Sequence, residues 1–332
     1  MPAPVGRKRL VLGLLVVGTL ALAGSAAAGT GGFGPQTPHS PNARSIDHAY
    51  WLIFALTAAI FVIVEGVLIA FVIKYRARGR ARTVEGSQVH GHTRLELIWT
   101  VIPVLLLAVI AGFVFSTLPS SDNSAPASSR ANALHVQVIG HQFYWEFRYP
   151  GNKYAFNTMH VPVNTVVDLD ISAVDVIHSW WIPELGGKTD AIPGHPNHTW
   201  FEAQTTGQYT GQCAEFCGLY HARMKQSVTA ESAQDYAKWL AATQKSLGRT
   251  IFQGVCQQCH GIAGKGGYGP PLAGNPLTQQ PSGIENIVRN GRTGTIGTMP
   301  AVGGGWTDTE MKALTSYLKT LGASGGGTTS GG

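Results

Sequence analysis

Twelve residues, 213–224, constrain this chain most: CAEFCGLYHARM sets Cys213, Cys217, His221 and Met224 in a Cys-x3-Cys-x3-His-x2-Met spacing. A fold that uses all four must close this short stretch around one site. Two thiolates, an imidazole and a thioether make a soft ligand set, suited to copper in electron transfer and not to magnesium or calcium. Zinc also takes Cys and His, but structural zinc sites rarely recruit a thioether, and the gaps differ from the usual Cys-x2-Cys knuckle.

The chain has four cysteines, and the other two lie in Cys256-Gln257-Gln258-Cys259-His260. Cys-x-x-Cys-His is the attachment signature of covalent haem c: both thiols add to the haem edge and His260 meets the iron from one side. The same string can serve as a redox dithiol, which is the plainer reading. Downstream, Gly297-Thr298-Met299-Pro300 offers Met299 as the second axial ligand, with Gly269-Pro270-Pro271-Leu272 between. His/Met ligation is the pair that raises the potential of cytochromes c. The alternative is a core methionine beside a proline turn.

A length of 332 residues allows two or three domains. The net charge of +6 is not spread evenly: residues 1–118 hold ten Lys/Arg against four Asp/Glu, and the rest holds fourteen of each. The basic excess therefore flanks apolar segments and leaves no nucleic-acid footprint. Arg7, Lys8 and Arg9 precede an apolar stretch and small residues to Ala28, which reads as a signal peptide over 1–28, or else as a retained short anchor. A linker, 29–48, leads to a transmembrane hairpin, 49–118, with spans at about 50–73 and 97–118. The loop 74–96 carries Lys74, Arg76, Arg78, Arg80, Arg82 and Arg94 against Glu85 and Glu96, so the positive-inside rule makes it cytoplasmic. All four cysteines then face the extracytoplasmic side. Glu65, inside the first span, is costly in lipid and is expected to face a partner.

Beyond a polar linker, the stretches 134–149, 161–174 and 198–203 are rich in Val, Ile, Thr and aromatics, with Pro150-Gly151-Asn152 and Pro193-Gly194 as turns. They predict a small antiparallel β-sandwich or barrel spanning 119–232, with the metal motif on a late loop. Tyr236, Trp239, Leu240 and Leu247 recur at helical spacing, giving a linker helix, 233–247, that tethers a haem domain, 248–323. The haem domain ends in a helix with Met311, Leu314, Tyr317, Leu318 and Leu321 on one face. The Gly/Ser/Thr tail, 324–332, reads as disordered.

A two-copper thiolate centre needs another imidazole. His178, in Val176-Ile177-His178-Ser179-Trp180-Trp181, is the upstream candidate, with aromatic neighbours that would keep water away. In isolation it would read as a hydrogen-bonded core histidine. With Leu95-Glu96-Leu97-Ile98-Trp99-Thr100, Gly140-His141-Gln142, Asp175 to Trp180, Gly187 to Gly194 and Gly211 to Met224 in order, the chain resembles subunit II of haem–copper cytochrome c oxidases. The form it resembles carries a cytochrome c domain fused at the C-terminus, the caa type.

The resemblance implies an all-β cupredoxin barrel on a two-helix anchor, followed by an all-α cytochrome c domain. It implies a copper A centre bridged by Cys213 and Cys217, capped by His178 and His221, and completed by Met224 and the Glu215 carbonyl. The Glu215 side chain becomes a ligand of a magnesium ion shared with subunit I, and Glu96 a residue for proton uptake. In Gln142-Phe143-Tyr144-Trp145 the family's usual electron-accepting tryptophan is Phe143, so Phe143, Tyr144 and Trp145 are the candidate electron-input residues. The partners implied are subunit I and the other oxidase subunits, with a cytochrome bc-type complex or a soluble or membrane cytochrome c as donor. The location implied is a bacterial plasma membrane. The same donor module would also suit a copper-A nitric oxide reductase. A copper-delivery protein needs neither Met224 nor a haem domain, and quinol oxidase subunits lack these ligands.

Overall fold

The computed structural model describes residues 34–76, 88, 90–117, 125, 127–295 and 297–324. The stretch 1–28 read as a signal peptide or short anchor, Arg78, Arg80, Arg82 and Glu85 of the basic loop, and the tail beyond Ser324 lie outside the described residues. The chain divides into two compact units, one built on two long helices and the other on residues 38–43 and 122 onward.

In the first unit, α1 (Pro41–Tyr75) and α2 (Thr93–Thr117) each reach a mean hydropathy of 2.7 and are long enough to cross a membrane. Side chains such as Phe61, Val72 and Phe115 stand exposed along them, as lipid-facing positions do. Helix α1 begins nine residues before the expected span. Its apolar run sets only the span, while Pro41 at the first helical position starts the helix earlier. Glu96 lies in the first turn of α2, where its carboxylate accepts from the backbone N–H of His92 at 3.1 Å.

The second unit begins with a β-barrel. Strands β1 (Leu134–His141), β2 (Tyr144–Tyr149), β3 (Lys153–Phe156), β4 (Thr158–Pro162) and β5 (Val166–Ala173) are followed by β6 (His178–Trp180), β7 (Thr189–Ala191), β8 (Asn197–Glu202), β9 (Gly207–Gln212) and β10 (Lys225–Glu231). One sheet runs β3-β2-β1-β5-β8, a second β4-β10-β9, and β6 pairs with β7. The expectation of an antiparallel barrel fails at two ladders, since β1 with β5 and β10 with β4 are parallel. Apolar alternation marks which residues are strands but does not encode the direction of a partner far along the chain. Val138, Trp145, Phe147, Met159, Leu169 and Val228 fill the interior and are fully buried.

Strand β2 is buried on both faces. Trp145, Phe147 and Tyr149 point into the barrel, while Tyr144 joins a second core and Glu146 is completely buried. That second core belongs to the cytochrome domain: α4 (Leu247–Ile251), continued by helical turns to His260, α5 (Pro281–Asn290), the β11–β12 ribbon (Arg292–Gly294, Gly297–Met299) and α6 (Asp308–Ser324). Ile251, Phe252, Trp306, Leu314 and Leu318 share one apolar cluster with Tyr144, Tyr154 and Phe156 of the barrel.

The segment that joins the barrel to the cytochrome domain packs against the barrel through Tyr236 and Trp239. The connector is a helix, α3 (Ala233–Lys245), capped by Ser232, whose hydroxyl accepts from Asp235 N–H. Its Trp239 stacks on His160 with ring centroids 4.0 Å apart and meets Tyr149 edge-on. The connector is thus capped at its start and packed on the barrel at its middle, and the second domain rests on the barrel's outer face.

Candidate metal centre

Cys213 follows β9, and the loop to β10 turns back through a short helical turn, His221–Arg223. Cys213 N–H donates to the Met224 carbonyl at 2.9 Å, closing the loop at its base, and Ala214 N–H donates to Ser179 beside His178. The sequence-predicted ligands meet here. Cys213 Sγ lies 4.0 Å from Cys217 Sγ, 3.8 Å from His178 Nδ1 and 3.3 Å from the Glu215 carbonyl oxygen. Cys217 Sγ lies 3.5 Å from His221 Nδ1 and 3.8 Å from Met224 Sδ. Cys213, Cys217, His178 and Met224 are buried, whereas the Glu215 side chain is exposed.

Neighbours fix the chemistry of these donors. His178 Nε2–H donates to Asp175 at 2.8 Å, which leaves the Nδ1 lone pair facing the sulfurs. Burial opposes charge on Asp175, yet bonds from His178, Val176 and Gln142 hold its carboxyl below the usual range. Burial also opposes charge on His178, but Asp175 and Cys213 together hold its pKa above the ordinary value. For Cys213, burial pushes the pKa up, while His178 and the backbone at Glu215 and Ser179 outweigh it and bring it to about 7. Cys217 is pushed up to about 12 by burial and by the neighbouring Cys213. Two thiolates side by side need a cation between them, so metal uptake here would release protons.

Sequence reasoning assigned no role to two residues that build this site. Asp175 orients His178, and Gln142 bonds both Asp175, through its N–H at 2.7 Å, and the Cys217 carbonyl, through Nε2 at 2.6 Å. The Asp-x-x-His spacing was the available signal for Asp175. Gln142 had none, because its partners lie 33 and 75 residues away.

The haem-signature residues form a second site. His260 is buried at the end of its helical turn, and its Nδ1–H donates to the Pro270 carbonyl at 2.8 Å, which leaves Nε2 as the free ring nitrogen. Cys256 is buried in the shared core, Cys259 is exposed, and Met299 packs against the same core from β12. A buried imidazole with a free Nε2, a buried and an exposed thiol three residues apart, and a thioether packed on the same apolar core as Cys256 are donors that would fit a covalent haem.

Phe143, Tyr144 and Trp145, the candidates for electron input, do not form an open surface. Tyr144 and Trp145 are buried, Tyr144 beneath the cytochrome domain, and Phe143 packs edge-on against Tyr220 of the copper loop with centroids 5.3 Å apart.

Family comparisons agree with this division. Residues 28–117 match the transmembrane domain of cytochrome c oxidase subunit II, 153–231 its periplasmic domain, and 243–318 the cbb3-type cytochrome c oxidase subunit III. Cytochrome c oxidase subunit 2 of Alkalihalophilus pseudofirmus is 30% identical over 306 residues, covering 86% of this chain and 89% of that one. The Synechocystis subunit 2 is 31% identical over 245 residues, covering 61% of this chain and 74% of that one. The crystal structure of the periplasmic domain of cytochrome oxidase subunit II from Bradyrhizobium japonicum shares 36% identity. It covers 34% of this chain and 94% of that one, with a TM-score of 0.33.

Two membrane-type helices, a cupredoxin barrel with a buried Cys/His cluster and a cytochrome c domain define a membrane-anchored electron carrier. This chain belongs to the cytochrome c oxidase subunit II family, in the form with a C-terminal cytochrome c fusion, and such subunits work within a multisubunit haem–copper oxidase.

Proposed function

We propose that this chain carries electrons from haem c to a dinuclear copper A centre and on to subunit I, which reduces oxygen to water with proton translocation. The observation that supports this reading best is the closed Cys213–Cys217 cluster with His178, His221, Met224 and the Glu215 carbonyl around it. His178, His221, Met224, both thiolates and that carbonyl would hold copper; Cys256, Cys259, His260 and Met299 would hold haem c. Bound, the two groups supply reversible one-electron chemistry. The protein's part is rigidity: Asp175 and Gln142 pin the ligands, and the buried barrel excludes water, so little has to move when charge changes.

The exposed Glu215 carboxylate is proposed as a magnesium ligand shared with subunit I. Glu96 is proposed for proton uptake, although its bond to His92 also suits a helix-capping role. The copper and haem domains are proposed to lie outside a bacterial plasma membrane, with a cytochrome bc-type complex or a cytochrome c as donor.

Metal and haem analysis of the assembled complex tests this reading. Two copper atoms per chain with an unpaired spin shared between them, plus one covalent haem c, is the expected result; one copper or a zinc-only site would refute it. Cys213→Ser should abolish the centre, and Met224→Leu should shift its potential more than its assembly. Glu96→Gln should slow turnover with all spectra intact; unchanged turnover would leave Glu96 a helix cap.

A further inference from the structure

On the outer face of β2, Glu146 and Arg148 are two residues apart and form an ion pair against the cytochrome domain. A solvent face would leave such charges wet, yet Glu146 is completely buried and Arg148 is only 24% exposed. Glu146 is fixed from behind by His141, whose Nε2 lies 2.9 Å from its carboxylate. Arg148 reaches across: its Nη2 donates to the Gly305 carbonyl at 2.9 Å and stands 3.9 Å from Glu310 Oε2. Glu310 is itself fully buried on α6, with one oxygen accepting from Thr307 and the other without a partner. Beside this cluster, Tyr144 donates to the Val302 carbonyl and accepts from Trp306 Nε1 at 2.9 Å.

Elsewhere the copper loop meets the haem segment. Arg223, next to Met224, has its guanidinium carbon 5.7 Å from the ring centroids of both Tyr220 and Tyr268. Tyr268 lies two residues before Pro270, the partner of His260. The seating of the cytochrome domain on β2 therefore decides whether the haem segment meets the copper loop.

We propose that Arg148, oriented by Glu146, is the latch that fixes the cytochrome domain on the copper domain and so positions haem c for transfer to copper A. Arg148 is a positioning residue: it touches neither centre. This rests on the haem-to-copper route proposed above. Removing this half-buried guanidinium takes the ion-pair partner from the completely buried Glu146 and breaks the cross-domain bond to the Gly305 carbonyl. Transfer in the latched pose needs no docking step, whereas an unlatched domain must find its seat before each transfer.

The test uses the assembled oxidase carrying Arg148→Met or Arg148→Lys. After photochemical reduction of haem c, its reoxidation by copper is followed optically at several solvent viscosities, alongside backbone hydrogen exchange. The unsubstituted enzyme should transfer at a viscosity-independent rate. Arg148→Met should slow transfer at least about tenfold, make it viscosity-dependent and strip exchange protection from residues 302–306. Spectra and potentials of both centres should not change, and Arg148→Lys should recover part of the rate. Should Arg148→Met fail to assemble, the pair Arg148→Gln with Glu146→Gln replaces it, with the same outcomes. An unchanged rate with protection kept overturns the latch. If haem c in the unsubstituted enzyme never reduces copper, the route itself falls, and hydrogen exchange still decides whether Arg148 holds the domain.

Discussion

Gly140 lacks a side chain for a reason that the metal site supplies. A Cβ there would stand 2.8 Å from His178 Cδ2, so glycine is what lets the imidazole sit against β1. Gly269 does the same for His260, whose ring a Cβ would approach to 2.9 Å. Glu310 has a different constraint: burial, and then the charge of Glu146, push its carboxyl up to about 7. A carboxyl that holds its proton more tightly folded than unfolded adds stability below the ordinary carboxylate range, and that stability is lost as pH rises through about 7. Glu310→Gln should remove this fall, so melting temperature measured between pH 5 and 8 should decline less in the variant; an identical decline would show that Glu310 does not titrate there. The candidate ligands that the structure brings together were legible in the sequence, because soft donors at fixed spacing are rare. Glu146 and Arg148 carried no sequence signal: charges alternate with aromatics along β2, and only the second domain covers that face.

Among the elements, α3 shows how a connector becomes structure. Its apolar residues are few, and helical spacing alone predicted the helix but not its seat. Trp239 supplies the seat by stacking on His160, whose own ring bonds Glu231 at 3.0 Å. Trp239→Ala should cost about 2 kcal/mol and open residues 232–246 to proteolysis, with the copper spectrum intact. Unchanged protease resistance would mean that the helix is held by its cap and its ends alone. Strands β1, β2, β5 and β8 fall in the stretches recognisable from composition and Pro150-Gly151-Asn152 is a turn, but β3, β9 and β10 lie outside those stretches. The parallel ladders were not recognisable, since they join segments separated by long connections.

For the whole molecule, the shared core makes the two soluble domains one body. Truncation at about residue 246 would uncover Tyr144, Tyr154 and Phe156, so the shortened chain should be less stable as well as slower. Turnover with soluble cytochrome c should fall steeply, while a small reductant able to reach the copper site should still support it. Full turnover with soluble cytochrome c would place electron input on the copper domain instead.

The central claim is that electrons leave the fused cytochrome domain through the Cys213–Cys217 centre. Stopped-flow reduction of the assembled oxidase, with the haem c and copper bands followed separately in the unsubstituted enzyme and in Cys213→Ser, tests it most directly. The unsubstituted enzyme should show haem c reoxidising as copper becomes reduced and then as oxygen is consumed. In Cys213→Ser, haem c should be reduced and stay reduced, with oxygen consumption lost. Rapid reoxidation of haem c and normal oxygen uptake in Cys213→Ser would contradict the account.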